Sequence, residues 1–218
     1  MRAVFGRVSA VVVLGLTLCG CAITLEPAPQ ANRLPGRFKA ASGEVGGVRV
    51  VATAEAWRGF PQNLSDELVP LLVTIENNSP RAISVALRSF TLETASGAQL
   101  EALPPSRITD RVIEPRPTSY ASAWPPFDGP PVFARWYRDP YFLRGWPPPA
   151  YLVIQLPTQD MIEHALREGV VEPGSAVSGF VYFDEPRGRP KSVVLTARIV
   201  DAAGGQELGA VMIPFVAD

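Results

Sequence analysis

The sequence predicts an all-β domain built as an antiparallel β-sandwich, and three observations predict it. Apolar residues recur at every second position in several short runs, which places alternate side chains on opposite faces of a sheet. Turn chemistry separates those runs: Asn77-Asn78-Ser79-Pro80, Ser96-Gly97, Pro173-Gly174 and Ala203-Gly204-Gly205. The 218 residues include 23 Pro and 18 Gly with 19% charged residues, a balance that suits strands joined by turns better than long helices.

The elements follow in order. Arg2 and Arg7 form a positive n-region, and Val8 to Leu18 is an apolar run ending in small residues. That run is shorter than the about 20 residues needed to cross roughly 30 Å of hydrocarbon, so it reads as the h-region of a secretory signal. Leu18-Cys19-Gly20-Cys21 resembles the lipobox of bacterial lipoproteins, with Cys21 as the acylated cysteine; Leu18 is too bulky for Cys19 to take that role. The resemblance implies a signal peptide over residues 1–20 and a mature chain that begins at Cys21 with lipid on its sulfur and amine. Two or more acyl chains give stable anchoring. Ala22 lacks the aspartate of inner-membrane retention, so the same resemblance implies an outer-membrane anchor facing the periplasm.

Residues 21–47 carry Pro27, Pro29, Pro35 and Gly46-Gly47 and show no periodic apolar face. They are expected to be a flexible tether with a reach of some tens of ångströms. The sandwich is expected over 48–218. Val48, Val50, Ala52 and Ala54 alternate with mostly polar residues, and Leu71, Val73 and Ile75 do the same. Ile83, Val85 and Leu87 are in phase, but Phe90 and Leu92 are not, so a bulge or a corner between sheets is expected at Arg88-Ser89. A short strand follows around Leu100. Further strands are expected over 175–183, 192–200 and 207–215, with Pro214 on an edge strand or near a strand end. One helix interrupts them at Thr158 to Glu168, with Thr158 as its cap, Asp160 at the positive end of its dipole and Gly169 as its stop.

Val73-Thr74-Ile75-Glu76-Asn77-Asn78-Ser79, then Phe90-Thr91-Leu92 and Gly97, then Glu172 to Phe183, is similar to uncharacterised bacterial lipoproteins with an immunoglobulin-like β-sandwich. The resemblance covers most of Val48 to Phe215 and implies an immunoglobulin-like sandwich. It implies no catalytic or ligand-binding residue.

Composition narrows the chemistry. With Cys19 leaving in the signal and Cys21 carrying lipid, the mature domain has no disulfide, no thiol nucleophile and no Cys metal ligand. His164 is the only imidazole, too few for a zinc site, and neither a metal nor a cofactor is expected. Taking Arg2 and Arg7 from the 20 basic residues leaves 18 against 21 acidic ones, a net of −3, with no electrostatic footprint for nucleic acid. His164 shares a helix face with Asp160, Glu163 and Arg167, which reads as a solvated face with an i,i+4 pair. Asp66-Glu67 and Asp184-Glu185 are adjacent carboxylate pairs without the ligand spacing of a calcium loop, and read as soluble loops. Asn63-Leu64-Ser65 and Asn77-Asn78-Ser79 match a glycosylation pattern but read as turn formers.

The most unusual stretch is the irregular insertion 104–149. It carries Trp124, Phe127, Trp136, Tyr137, Tyr141, Phe142 and Trp146 among prolines and arginines. Trp, Tyr and Arg anchor interfaces more often than other residues, so these seven aromatics are the expected partner contacts. They could equally cover a face of the sandwich, stack on cell-wall glycan or sit at a lipid boundary. The sequence therefore leads to a non-catalytic, lipid-anchored envelope module that meets membrane lipid through Cys21 and an envelope protein or cell-wall glycan through its insertion. A hydrolase acting on envelope glycan or lipid with Asp184 and Glu185, and an assembly factor that pairs an edge strand with a partner, are the alternatives.

Overall fold

Period-two alternation needs a partner layer for its apolar face, and the chain supplies two antiparallel sheets that bury theirs against each other. The computed structural model describes residues 23–36, 39–115, 151–188 and 190–217. Among the described residues the fold is all-β with one short helix, in agreement with the sandwich expected. The first sheet contains β1 (Leu25–Pro27), β6 (Ile83–Val85), β7 (Phe90–Thr94), β8 (Gln99–Glu101), β11 (Gly169–Val171), β13 (Ser192–Asp201) and β14 (Glu207–Ala217). Its spine runs β1-β14-β13, with β6 and β7 both on β13, β11 on β6 and β8 on β7. The second sheet runs β12 (Ala176–Asp184), β5 (Leu68–Asn77), β4 (Val48–Ala54), β3 (Lys39–Val45) and β2 (Asn32–Arg33). Between the sheets lie Val50, Ala52, Leu71, Val73, Val181 and Phe183 from one side and Phe90, Leu92, Leu195, Ala197, Ile213 and Phe215 from the other, all buried.

The chain between 25 and 45 is not a tether. β1 pairs with the end of β14, Leu25 opposite Ala217, and β3 pairs along the whole of β4. Arg33 holds the exit from β1 by donating from Nη2 to the Pro27 carbonyl (2.7 Å) and from Nε to that of Ala28 (3.3 Å). Lys39 bridges Glu26 (2.8 Å) and Glu55 (3.1 Å), and the bond to Glu26 pushes its ammonium pKa up. No apolar period marks this region because β1 and β2 are only three and two residues long, while the middle of β3, Ala40 to Gly43, is made of small residues. Smallness is required there: a Cβ on Gly43 would lie 2.5 Å from Cγ1 of Val211 on β14, where the sandwich closes.

One other expectation is corrected. The phase slip after Leu87 is a 3-10 turn, Leu87–Ser89, and the chain does not change sheet there. β6 and β7 lie one after the other along β13, opposite Val200–Asp201 and Val193–Ala197, and the turn resets the pleat so that Phe90 and Leu92 face inward. Pro214 lies three residues from the end of β14, just beyond the residues that β1 pairs, in keeping with the strand-end position expected. Its carbonyl accepts from Ala28 N (3.0 Å), so its missing N–H faces the point where β1 turns away and Ala28 O is met instead by Ala31 N (2.9 Å).

Asn77 fastens the far end of β5. It is fully buried. Nδ2 donates to the carbonyls of Arg81 and Val171 (both 2.8 Å), and Oδ1 accepts from Ser79 N (3.1 Å) and Ser79 Oγ (2.6 Å). All four valences of the amide are used, tying β5, the turn after it and β11 together, which makes this Asn-Asn-Ser run a structural turn. Asn77→Ala strands those partners and is expected to cost about 3 kcal/mol in chemical denaturation.

Candidate functional site

At one end of the second sheet β5 and β12 are apolar on both faces, and the helix and the carboxylate pairs nominated from sequence lie around that outer face. Leu68 and Leu72 of β5 and Phe180 and Tyr182 of β12 point away from the main core into a second one. It is closed by Trp57, Leu64, Ile108, Met161 and the two-stranded hairpin β9 (Arg111–Pro115) and β10 (Tyr151–Gln155), which contributes Val112 and Ile154. Trp57 is its keystone, 6% exposed. Its Nε1 donates to the Pro61 carbonyl (2.8 Å), and its ring stands edge-on to Phe180 (5.0 Å between centroids), Tyr182 (6.2 Å) and His164 (6.3 Å). The Tyr182 hydroxyl donates to the Met161 carbonyl (3.0 Å), and burial pushes the phenol pKa well above its usual value.

The insertion is ordered at its base. Pro105–Arg107 forms a 3-10 turn, and the hairpin is held by Asn63 Nδ2 to Ile113 O (3.1 Å), Gln62 N to Glu114 Oε1 (2.8 Å) and Leu156 N to Asp110 O (3.0 Å). The pleat turns Val112 and Ile154 inward and leaves Ile113 (57%), Tyr151 (61%) and Val153 (58%) exposed on the other face. Pro115 is registered opposite Tyr151, so the two ends of segment 116–150 leave from one point. Trp124, Phe127, Trp136, Tyr137, Tyr141, Phe142 and Trp146 lie outside the described residues, as does Cys21.

The helix α1 covers only Gln159–His164. Thr158 does not cap it with its side chain; Oγ1 donates instead to the Phe60 carbonyl (2.6 Å), while Asp160 Oδ2 accepts from Phe60 N (2.7 Å). The expected Asp160–His164 side-chain pair is a contact between His164 Nδ1 and the Asp160 carbonyl (2.8 Å). The helix stops short of Gly169 because Ala165 turns extended and bridges to Phe180, with Leu166 N donating to Phe180 O (2.9 Å). Gly179 permits this, since a Cβ there would strike the Leu166 backbone. Leu103 N donates to Tyr182 O (2.8 Å), so β12 is blocked along its outer edge, and the strands β2, β8 and β11 at other edges are two or three residues long.

The two carboxylate pairs, far apart in sequence, meet at one end of the second sheet because Asp184 is registered opposite Leu68. Burial, then the charges of Asp110, Glu185 and Asp66, push the Glu67 carboxyl above the usual range. All four side chains of Asp66, Glu67, Asp184 and Glu185 are nevertheless exposed. Asp66 Oδ2 accepts from Asn63 Nδ2 (2.9 Å), a local turn bond. Among the described residues, no group of three or more His, Cys, Asp or Glu could hold a metal ion. Trp57 stands in a loop with no periodic pattern; the sequence signal for the second core is the unbroken apolar run Phe180 to Phe183, the pattern of a strand buried on both faces.

The chain matches no family model and no curated protein. Among solved structures it is similar to the yjhA protein from Bacillus subtilis, at 11% identity over 75% of this chain and 82% of that one, with a TM-score of 0.38. A likeness of that size carries no argument about the site.

Trp57→Ala is expected to cost about 3 to 5 kcal/mol and to raise hydrogen exchange in β9 and β10 ahead of β13 and β14. Tyr182→Phe tests the second core through pH. The phenol ionises near pH 10 in the unfolded chain and higher in the fold, so stability present below that pH falls as pH climbs beyond about 10. The variant is expected to lose that alkaline slope while costing about 1 kcal/mol at neutral pH.

Proposed function

We propose that this protein is a non-catalytic, lipid-anchored module of the bacterial envelope that presents a partner-contact surface on segment 116–150. The anchor rests on Leu18-Cys19-Gly20-Cys21 behind a positive n-region and an apolar run, and it puts the domain on the outer membrane facing the periplasm. The contact surface rests on one observation. Both ends of an aromatic and arginine-rich stretch are pinned side by side, Pro115 opposite Tyr151, on a hairpin packed into a second core. A base held this way gives the segment a fixed origin on the domain. Trp124, Phe127, Trp136, Tyr137, Tyr141, Phe142 and Trp146 are the proposed anchors, with an envelope protein as the favoured partner and cell-wall glycan as the other.

A hydrolase has less to rest on. Asp184 and Glu185 are exposed, and Glu67, the one carboxyl with a raised pKa here, is exposed beside them. Strand addition would need a long free edge; the edge of β12 is blocked and β2, β8 and β11 are two or three residues long.

Deleting residues 121–146 is expected to leave a folded, lipidated domain that loses its crosslinked partners in cells. An unchanged crosslinking profile in intact envelopes would defeat the contact-surface reading.

A further inference from the structure

We infer that the end of the sandwich where β1 begins lies directly against the lipid surface, with the exposed hairpin face of Ile113, Tyr151 and Val153 turned to a zwitterionic bilayer. This rests on the anchor at Cys21 proposed above. From Cys21 to Leu25, where pairing with β14 starts, there are four residue steps, a reach of at most about 14 Å. β14 alone, at 11 residues, is roughly 36 Å long, so the leader is shorter than the domain and cannot turn it over.

The hairpin belongs to the same end. Ile23 lines a depression with Ala54, Glu55, Ser65 and Leu68. Ser65 sits in the 3-10 turn Leu64–Asp66, and Asn63 at the start of that turn is bonded to the Ile113 carbonyl. One turn thus connects the approach from the anchor to the hairpin. Its three exposed side chains, two aliphatic and one tyrosine, suit the boundary between headgroups and acyl chains. The acids gathered around Glu67 at this end oppose an anionic surface, which is why the proposal names zwitterionic lipid.

The test uses the full lipidated protein in phosphatidylcholine–phosphatidylethanolamine vesicles. Processing removes Cys19, so a single introduced cysteine is the only free thiol for a fluorophore. Val153→Cys reports the hairpin, and Gln206→Cys reports the turn between β13 and β14 at the opposite end. Headgroup nitroxide lipids are expected to quench the label at 153 several-fold more than the label at 206. A Gly/Ser linker of about 16 residues inserted between Ala22 and Ile23, adding on the order of 20 Å of reach, is expected to bring the two signals together. Equal quenching at both positions without the linker, or none at 153, overturns the inference. Mass spectrometry of the first peptide separates the causes: an acylated Cys21 with no preference sinks only the orientation, whereas a bare Cys21 sinks the anchor and the orientation with it.

Discussion

The structure depends on a pair of strands that are apolar on both sides at one end. β5 and β12 carry Val69, Leu71, Val73, Val181 and Phe183 on one face and Leu68, Leu72, Phe180 and Tyr182 on the other. Each large side chain taken fully out of water contributes about 1.5 to 3 kcal/mol, so a sandwich of two layers would leave a sizeable stabilisation unused on the outer face. The loop holding Trp57, the helix α1 and the hairpin form a third layer that captures it. The cover is made of connecting segments, and His164 and the base of the insertion belong to it.

That third layer also decides what the sheet can do. By laying the backbone of Leu166 over Gly179 and bonding Leu103 to Tyr182, it closes the edge of β12 that would otherwise template another strand. It sets Tyr182 and Trp57 inside, with their polar atoms bonded to backbone carbonyls, and so converts the most aromatic described region into packing. What it leaves outside is a narrow apolar face on the hairpin and a group of exposed acids.

The candidate site was legible only in pieces. Alternation at Val48–Ala54 and Leu71–Ile75 announced the inner face because every second residue there is apolar and the others are mostly polar. Trp57, in a loop without a period, and β1, whose three residues are too few to show one, leave no such mark. Asp66-Glu67 and Asp184-Glu185 looked like separate loops; their meeting follows from the register of β5 on β12, a long-range pairing that no local window contains. The local signals carry the helix to Glu168, four residues past His164, because Gly169 is its stop in sequence, whereas the pairing of Ala165 with Phe180 ends it sooner.

By itself the amino-acid sequence determined the alternating strands, the turns that separate them, the all-β class and the short list of residue types available for chemistry. These are properties of neighbouring residues, set by side-chain direction along an extended backbone and by the conformations Gly, Pro and Asn allow. Tertiary structure alone decided that 25–45 joins the sheets, that a second core exists, and that the ends of 116–150 leave the domain together. Those outcomes turn on which distant segment covers an apolar face and which carbonyl a distant amide reaches, and that choice is made only when the whole chain is packed.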